Sequence, residues 1–149
     1  MSVKFVHLNL HSEYSLCDGL ANIKQIALAC TQQRIPALAI TDQMNLFGLV
    51  KFYQACQRAG VKPIVGASIY IANEQDPKQP YQAILLCQNT VGYRHLSELL
   101  STAYLQGQLH GKAILQRDWI AAKATGLIML SGAQQGDVGL SLLDGNIVV

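Results

Sequence analysis

The chain has 149 residues, 50% of them apolar and 13% charged, with a mean hydropathy of +0.21. Ordinary soluble domains carry roughly 25% charged residues, so the composition excludes intrinsic disorder, and a net charge of +2 is too small for binding nucleic acid mainly by neutralising phosphates. No apolar run approaches the ~18 residues of a membrane span, and residues 1–10 carry only Lys4 and lack a signal-peptide core, so a cytoplasmic globular piece with one core and no membrane partner is expected.

Val3 to Asn9 reads as a short first strand, followed by a loop through Ala21 that carries Asp18-Gly19. Asn22, with Gln25 three residues on, marks a helix start. Ile23, Ile26, Ala27 and Cys30 then recur at helical spacing until Ile35-Pro36 ends the helix. Ala37 to Thr41 is a second strand, nearly all apolar, as strands covered on both faces are. Asn45 is placed to cap the next helix, with Leu46, Leu49, Val50, Tyr53 and Cys56 on its apolar face and Gly60 as its stop. Lys62 to Ala72 is a third strand, Glu74 to Pro80 a polar turn, and Gln82 to Cys87 a fourth strand. Their link is too short for a crossover helix, which predicts a hairpin. A helix from about Val91 to Gln106 presents Leu96, Leu99, Leu100, Ala103 and Tyr104 on one face. Gly107 to Thr125 is less regular, with a short helix near Trp119; a fifth strand, Gly126 to Leu130, and a last helix, Asp137 to Leu143, follow.

Strands alternating with helices predict an α/β fold with mainly parallel strands. Cys17, Cys30, Cys56 and Cys87 contain no C-x-x-C pair and read as buried or half-buried free thiols. A β/α barrel typically needs ~250 residues, and the sequence stops at Asn146-Ile147-Val148-Val149, inside an apolar run, so the chain reads as the front part of a larger domain.

Functional groups in α/β folds collect at the C-terminal ends of strands. Around the first strand these are His7, Asn9, His11 and then Asp18; after the second, Asp42 and Gln43; near the end of the third, Ser68. Alternate residues of a strand share a face, which is how a barrel mouth presents metal ligands. Each also has an ordinary use. His7 serves as a hydrogen-bonded structural residue, Asp18-Gly19 as a turn pair, and Asp42 as a loop residue or helix cap. His95 and His110 read as surface residues, and Lys51, Arg58, Arg94, Arg117 and Lys123 are too scattered to form a nucleic-acid stripe.

In order along the chain, HLNLHSEYSLCDG, IPALAITDQMNLFGLVKFYQACQRAGVKPIVGASIYIA, NTVGYRHLSELLSTAYLQG and GLIMLSGAQQGDVGLSLLDGN resemble the start of the bacterial DNA polymerase III alpha subunits, their PHP (polymerase and histidinol phosphatase) domain. The resemblance implies a distorted seven-stranded β/α barrel, with residues 1–149 as its N-terminal portion, in a polypeptide several times longer. It also implies a metal site, from which this sequence departs. The family's H-x-H is occupied by Asn9 and His11, its T-D-H-G by Thr41-Asp42-Gln43-Met44, and its metal-bridging glutamate by Ser68. Ligand types remain only at His11, Asp18 and Asp42, and neutral amides are weak ligands beside imidazole and carboxylate. With these departures the resemblance implies no catalytic residue, no cofactor and no metal in this segment. Its implied role is support of the polymerase and docking of a separate proofreading exonuclease, among the other DNA polymerase III holoenzyme subunits. DNA-directed polymerase chemistry, its magnesium and the DNA contacts would belong to later parts of the parent. The alternative is a metal-dependent phosphoesterase or 3′–5′ exonuclease at the barrel mouth, which requires an intact ligand set.

Overall fold

The structure is a computed structural model that describes residues 5–145. The chain divides into two compact units, Met1–Ala67 and Ser68–Val149. In the first, helix α1 (Ile23–Gln32) begins as the sequence predicts, with Asn22 Oδ1 accepting the Gln25 amide at 3.3 Å. That bond satisfies an amide that the first turn leaves without a helical partner. The chain leaves α1 through Arg34, at φ 57°, into strand β1 (Ala37–Ile40), whose four residues are all buried. Helix α2 (Leu49–Ala59) ends at Gly60, whose φ of 68° would strain any side chain. Strand β2 (Lys62–Ile71) then runs parallel to β1, from Ala37 opposite Lys62 to Ile40 opposite Val65. Ile23, Ala27 and Cys30 of α1 and Phe52 and Cys56 of α2 form one core with Leu38 and Ile40.

The first unit differs from the sequence reading in several places. Val3 and Lys4 of the expected first strand lie outside the described residues. From Phe5 onward the segment pairs at His7, which bridges to Leu38 and accepts the Ala39 amide at 3.0 Å. Asn45 does not cap α2, whose N-cap is Gly48. It is buried instead, donating from Nδ2 to the Tyr14 and Gln43 carbonyls at 3.1 Å and accepting the Phe47 amide at 3.0 Å. Finally, α2 buries Phe52 and Cys56 while Val50 and Tyr53 are 69% and 50% exposed. Two apolar stripes overlap on this helix; burying the phenyl ring satisfies its hydrophobicity and leaves the Tyr53 hydroxyl in water.

In the second unit, strand β3 (Tyr81–Cys87) is joined to β2 by residues 72–80, which contain no helix. Helix α3 (Thr90–Gln106) is capped by Asn89, which accepts the Gly92 amide at 3.0 Å. Leu96, Leu99, Leu100 and Ala103 are buried as predicted, whereas Tyr104 is 46% exposed. The irregular stretch contains strands β4 (Gln108–Leu109) and β5 (Lys112–Ala113), turned by His110 and Gly111 at φ 51° and 77°. Two positive φ values suit the tight turns whose twist matches paired strands. Helix α4 (Arg117–Ala122), strand β6 (Leu127–Ser131) and helix α5 (Asp137–Leu143) complete the unit. Its sheet order is β2, β3, β6, which sets β2 beside β3 as a hairpin would. β3 and β6 are antiparallel, with Leu85 opposite Met129, so the parallel arrangement seen between β1 and β2 does not extend to this pair. Packing of α3 on β3 and β6 is close: a Cβ on Gly92 would lie 1.8 Å from the Gly126 carbonyl oxygen.

Cys30 and Cys56 are buried and Cys87 is half-buried, but Cys17 is exposed, because it sits in the polar loop before α1. No helix among the described residues is long and apolar enough to cross a membrane.

The α2 face is directly testable by urea denaturation. Phe52→Ala should cost about 3–5 kcal/mol, as removal of a fully buried aromatic does, whereas Tyr53→Ala should stay within about 0.5 kcal/mol. The reverse order would rotate the helix back onto Val50 and Tyr53.

Candidate functional site

The site in the first unit is built from the loop before α1 and the residues that follow β1. Asp42 is 1% exposed. A buried carboxylate is costly unless its oxygens are hydrogen-bonded, and here both are. Oδ1 accepts the Ser12 amide at 2.6 Å, and Oδ2 accepts the Ser12 hydroxyl at 2.8 Å. Burial still pushes the Asp42 carboxyl above the usual carboxylate range. The two Ser12 bonds and the nearby His11 pull it back down, while Asp18 pushes it further up. Gly48 leaves the room this group needs, since a Cβ there would stand 3.2 Å from Oδ2.

Asp18 makes the complementary arrangement. Its Oδ2 lies 2.8 Å from His11 Nδ1, and its Oδ1 accepts the Ser15 hydroxyl at 2.6 Å. The Ser15 hydroxyl in turn accepts the Gln43 amide at 3.0 Å, and the Ser12 hydroxyl accepts the Tyr14 amide at 3.1 Å. Each serine therefore donates to a carboxylate and accepts from a backbone amide. Asp42, after the strand, holds the loop through Ser12; Asp18, in the loop, holds Gln43 through Ser15. Thr41 adds a third tie, accepting the Leu10 amide at 2.8 Å and donating to Asn9 Oδ1 at 2.9 Å. At the rim, Lys51 bonds Glu13 at 2.6 Å and lies 5.0 Å from the centre of the Tyr14 ring. That bond holds the Glu13 carboxyl below the usual range.

Of the residues singled out from sequence, Asn9, His11, Asp18, Asp42 and Gln43 are drawn together by this network. His7 is exposed, with its ring edge-on to Phe5 at 4.6 Å between centroids. Ser68, on β2, is 5% exposed and belongs to the second unit. Among the described residues, no three His, Cys, Asp or Glu side chains form a group able to hold a metal ion. The side chains present do not fit a metal cluster: His11 and Asp18 bond each other, and Asn9 and Gln43 beside them are neutral amides, weak ligands next to imidazole and carboxylate. The sequence reading missed the hydroxyls of Ser12, Ser15 and Thr41. The available signal was the spacing Ser12-x-x-Ser15-x-x-Asp18, since short hydroxyl and carboxylate side chains bond readily to nearby loop backbone.

DNA polymerase III subunit alpha of Pseudomonas fluorescens is 48% identical over 147 residues, which is 98% of this chain and 12% of that protein. The Escherichia coli K12 protein of the same name is 46% identical over 143 residues, again 12% of its length. The chain thus spans about an eighth of these relatives. An amidohydrolase from Chromobacterium violaceum, solved with bound sulfate and no metal, has a TM-score of 0.52 at 18% identity. That alignment covers 66% of this chain and 32% of the other, a likeness of fold alone. The PHP domain family matches residues 7–148, nearly the whole sequence, and the chain belongs to that family.

Proposed function

We propose that this chain is a metal-free PHP segment of a DNA polymerase III alpha subunit, the front part of a seven-stranded barrel. It supports the polymerase and docks a separate proofreading exonuclease. The donor set carries the proposal: of the three ligand-type residues, Asp42 is buried and braces Ser12 through both oxygens. His11 and Asp18 then remain as a pair, and the neighbouring Asn9 and Gln43 offer neutral amides. Such a set supplies too little charge to hold a cluster or to activate its water. The role in replication follows from relatives named DNA polymerase III subunit alpha. Polymerisation, its magnesium and contacts with DNA fall to the remainder of such a protein, in the cytoplasm with the other holoenzyme subunits. In this segment no residue is catalytic.

Elemental analysis of the purified chain should find no stoichiometric zinc or manganese, and one or more tightly held metals per chain would overturn the proposal. With manganese added, a phosphodiester should be hydrolysed at background rate. A rate above background that His11→Ala abolishes would favour the phosphoesterase alternative.

The bracing role of Asp42 is tested by stability. Asp42→Ala strands the buried Ser12 amide and should cost about 1–3 kcal/mol for that group. Asp42→Asn keeps an acceptor for the amide and removes the charge. Because burial raises the folded-state value above the ordinary 3.8, the folded protein retains this proton longer than the unfolded chain. The group's contribution is therefore full below pH 3.8 and falls as pH rises through the folded value. Urea melts across pH should show this decline in the difference between the wild-type chain and Asp42→Asn. A difference that does not change with pH would mean that the carboxyl is not destabilised by burial.

A further inference from the structure

From Gly19 to Asn73 the chain contains Lys24, Arg34, Lys51, Arg58 and Lys62 but a single carboxylate, Asp42, which is 1% exposed. The solvent-facing charge of this stretch is thus wholly positive. Helices α1 and α2 pack side by side, tied where the Thr31 hydroxyl donates to the Ala59 carbonyl at 2.8 Å. Between them lies an open groove of about 350 Å³. Leu28, 59% exposed, lines it with Ala55 and Ala59, and Lys24, Lys51 and Arg58 supply its charge. Lys51 is engaged by Glu13, whereas Lys24 and Arg58 have no carboxylate partner among the described residues.

We propose that this groove docks an acidic peptide segment, with an aliphatic side chain against Leu28 and Ala55 and carboxylates against Lys24 and Arg58. An apolar strip flanked by charges of one sign matches the recognition of an amphipathic helix in a groove. The aliphatic lining disfavours single-stranded nucleic acid, because no aromatic side chain lines the groove for bases to stack on. The proposal goes beyond the function above: it requires neither a particular partner protein nor an empty metal site.

The test uses the 149-residue chain and a fluorescein-labelled helical peptide with Leu at i and i+4 and Glu elsewhere. Its counterpart carries Lys in place of Glu, and oligothymidine serves as the nucleic-acid probe. The Glu peptide should bind, with backbone amide shifts centred on α1 and α2 and affinity falling as salt rises. Lys24→Glu and Arg58→Glu should each weaken binding roughly tenfold, and Leu28→Ser should weaken it while the melting temperature holds. The Lys peptide should not bind. Failure of the Glu peptide to bind, equal binding of the two peptides, or a larger response of the same amides to oligothymidine would each overturn the proposal. Metal content does not enter this experiment, so its outcome is separable from that of the metal-free assignment.

Discussion

Two carboxylates pointing in opposite directions along the chain hold the first unit's loop to its strand. Asp42 reaches from the end of β1 back to Ser12, and Asp18 reaches from the loop, through Ser15, to Gln43. A loop without regular secondary structure must satisfy its polar groups in some other way, and these bonds do so. Their strength depends on the packing around them. β1 is buried throughout, so the residue that continues it is carried into a site from which water is excluded, where a satisfied hydrogen bond counts for more and a broken one costs more. Helices α1 and α2 cover that strand, and Gly48 at the entrance to α2 leaves the Asp42 carboxyl its space.

The same geometry separates residue type from residue role. Asp42 is a carboxylate, a residue of ligand type, and its identity alone suggests metal chemistry. In this chain its lone pairs are directed at an amide and a hydroxyl of one serine. Asn9 is similarly engaged by Thr41. Asn9 and Gln43 bring neutral amides to this site, while the Asp42 carboxyl braces the loop through Ser12.

Much of the fold was legible in sequence because local chemistry dictates it. Asn22 and Gly60 mark helix ends through a side-chain acceptor and a left-handed backbone, respectively, and both act as expected. The bounds of α5 coincide with the stretch read from sequence. What failed depended on tertiary context. Asn45 has the right chemistry for a cap, but two carbonyls, one of them distant in sequence, claim its amide. Phe52 and Tyr53 are adjacent and both aromatic, so spacing alone does not decide between two overlapping stripes. At the site, the candidate residues could be named, but which of them bond depends on hydroxyls at Ser12 and Ser15 that no metal motif includes. The hairpin at His110-Gly111 was missed because strands of two residues carry no periodicity.

The four thiols occupy chemically unequal surroundings. Burial raises the Cys30 thiol and pushes Cys56 and Cys87 up to about 11, which suppresses the thiolate that reacts with electrophiles. Cys17 lies exposed beside Asp18, within the loop that the two serines tie down. A maleimide or iodoacetamide reagent at neutral pH therefore meets Cys17 as the most exposed of the four sulfurs. A fluorophore or spin label attached there would sit on the loop itself and report how firmly that loop is held.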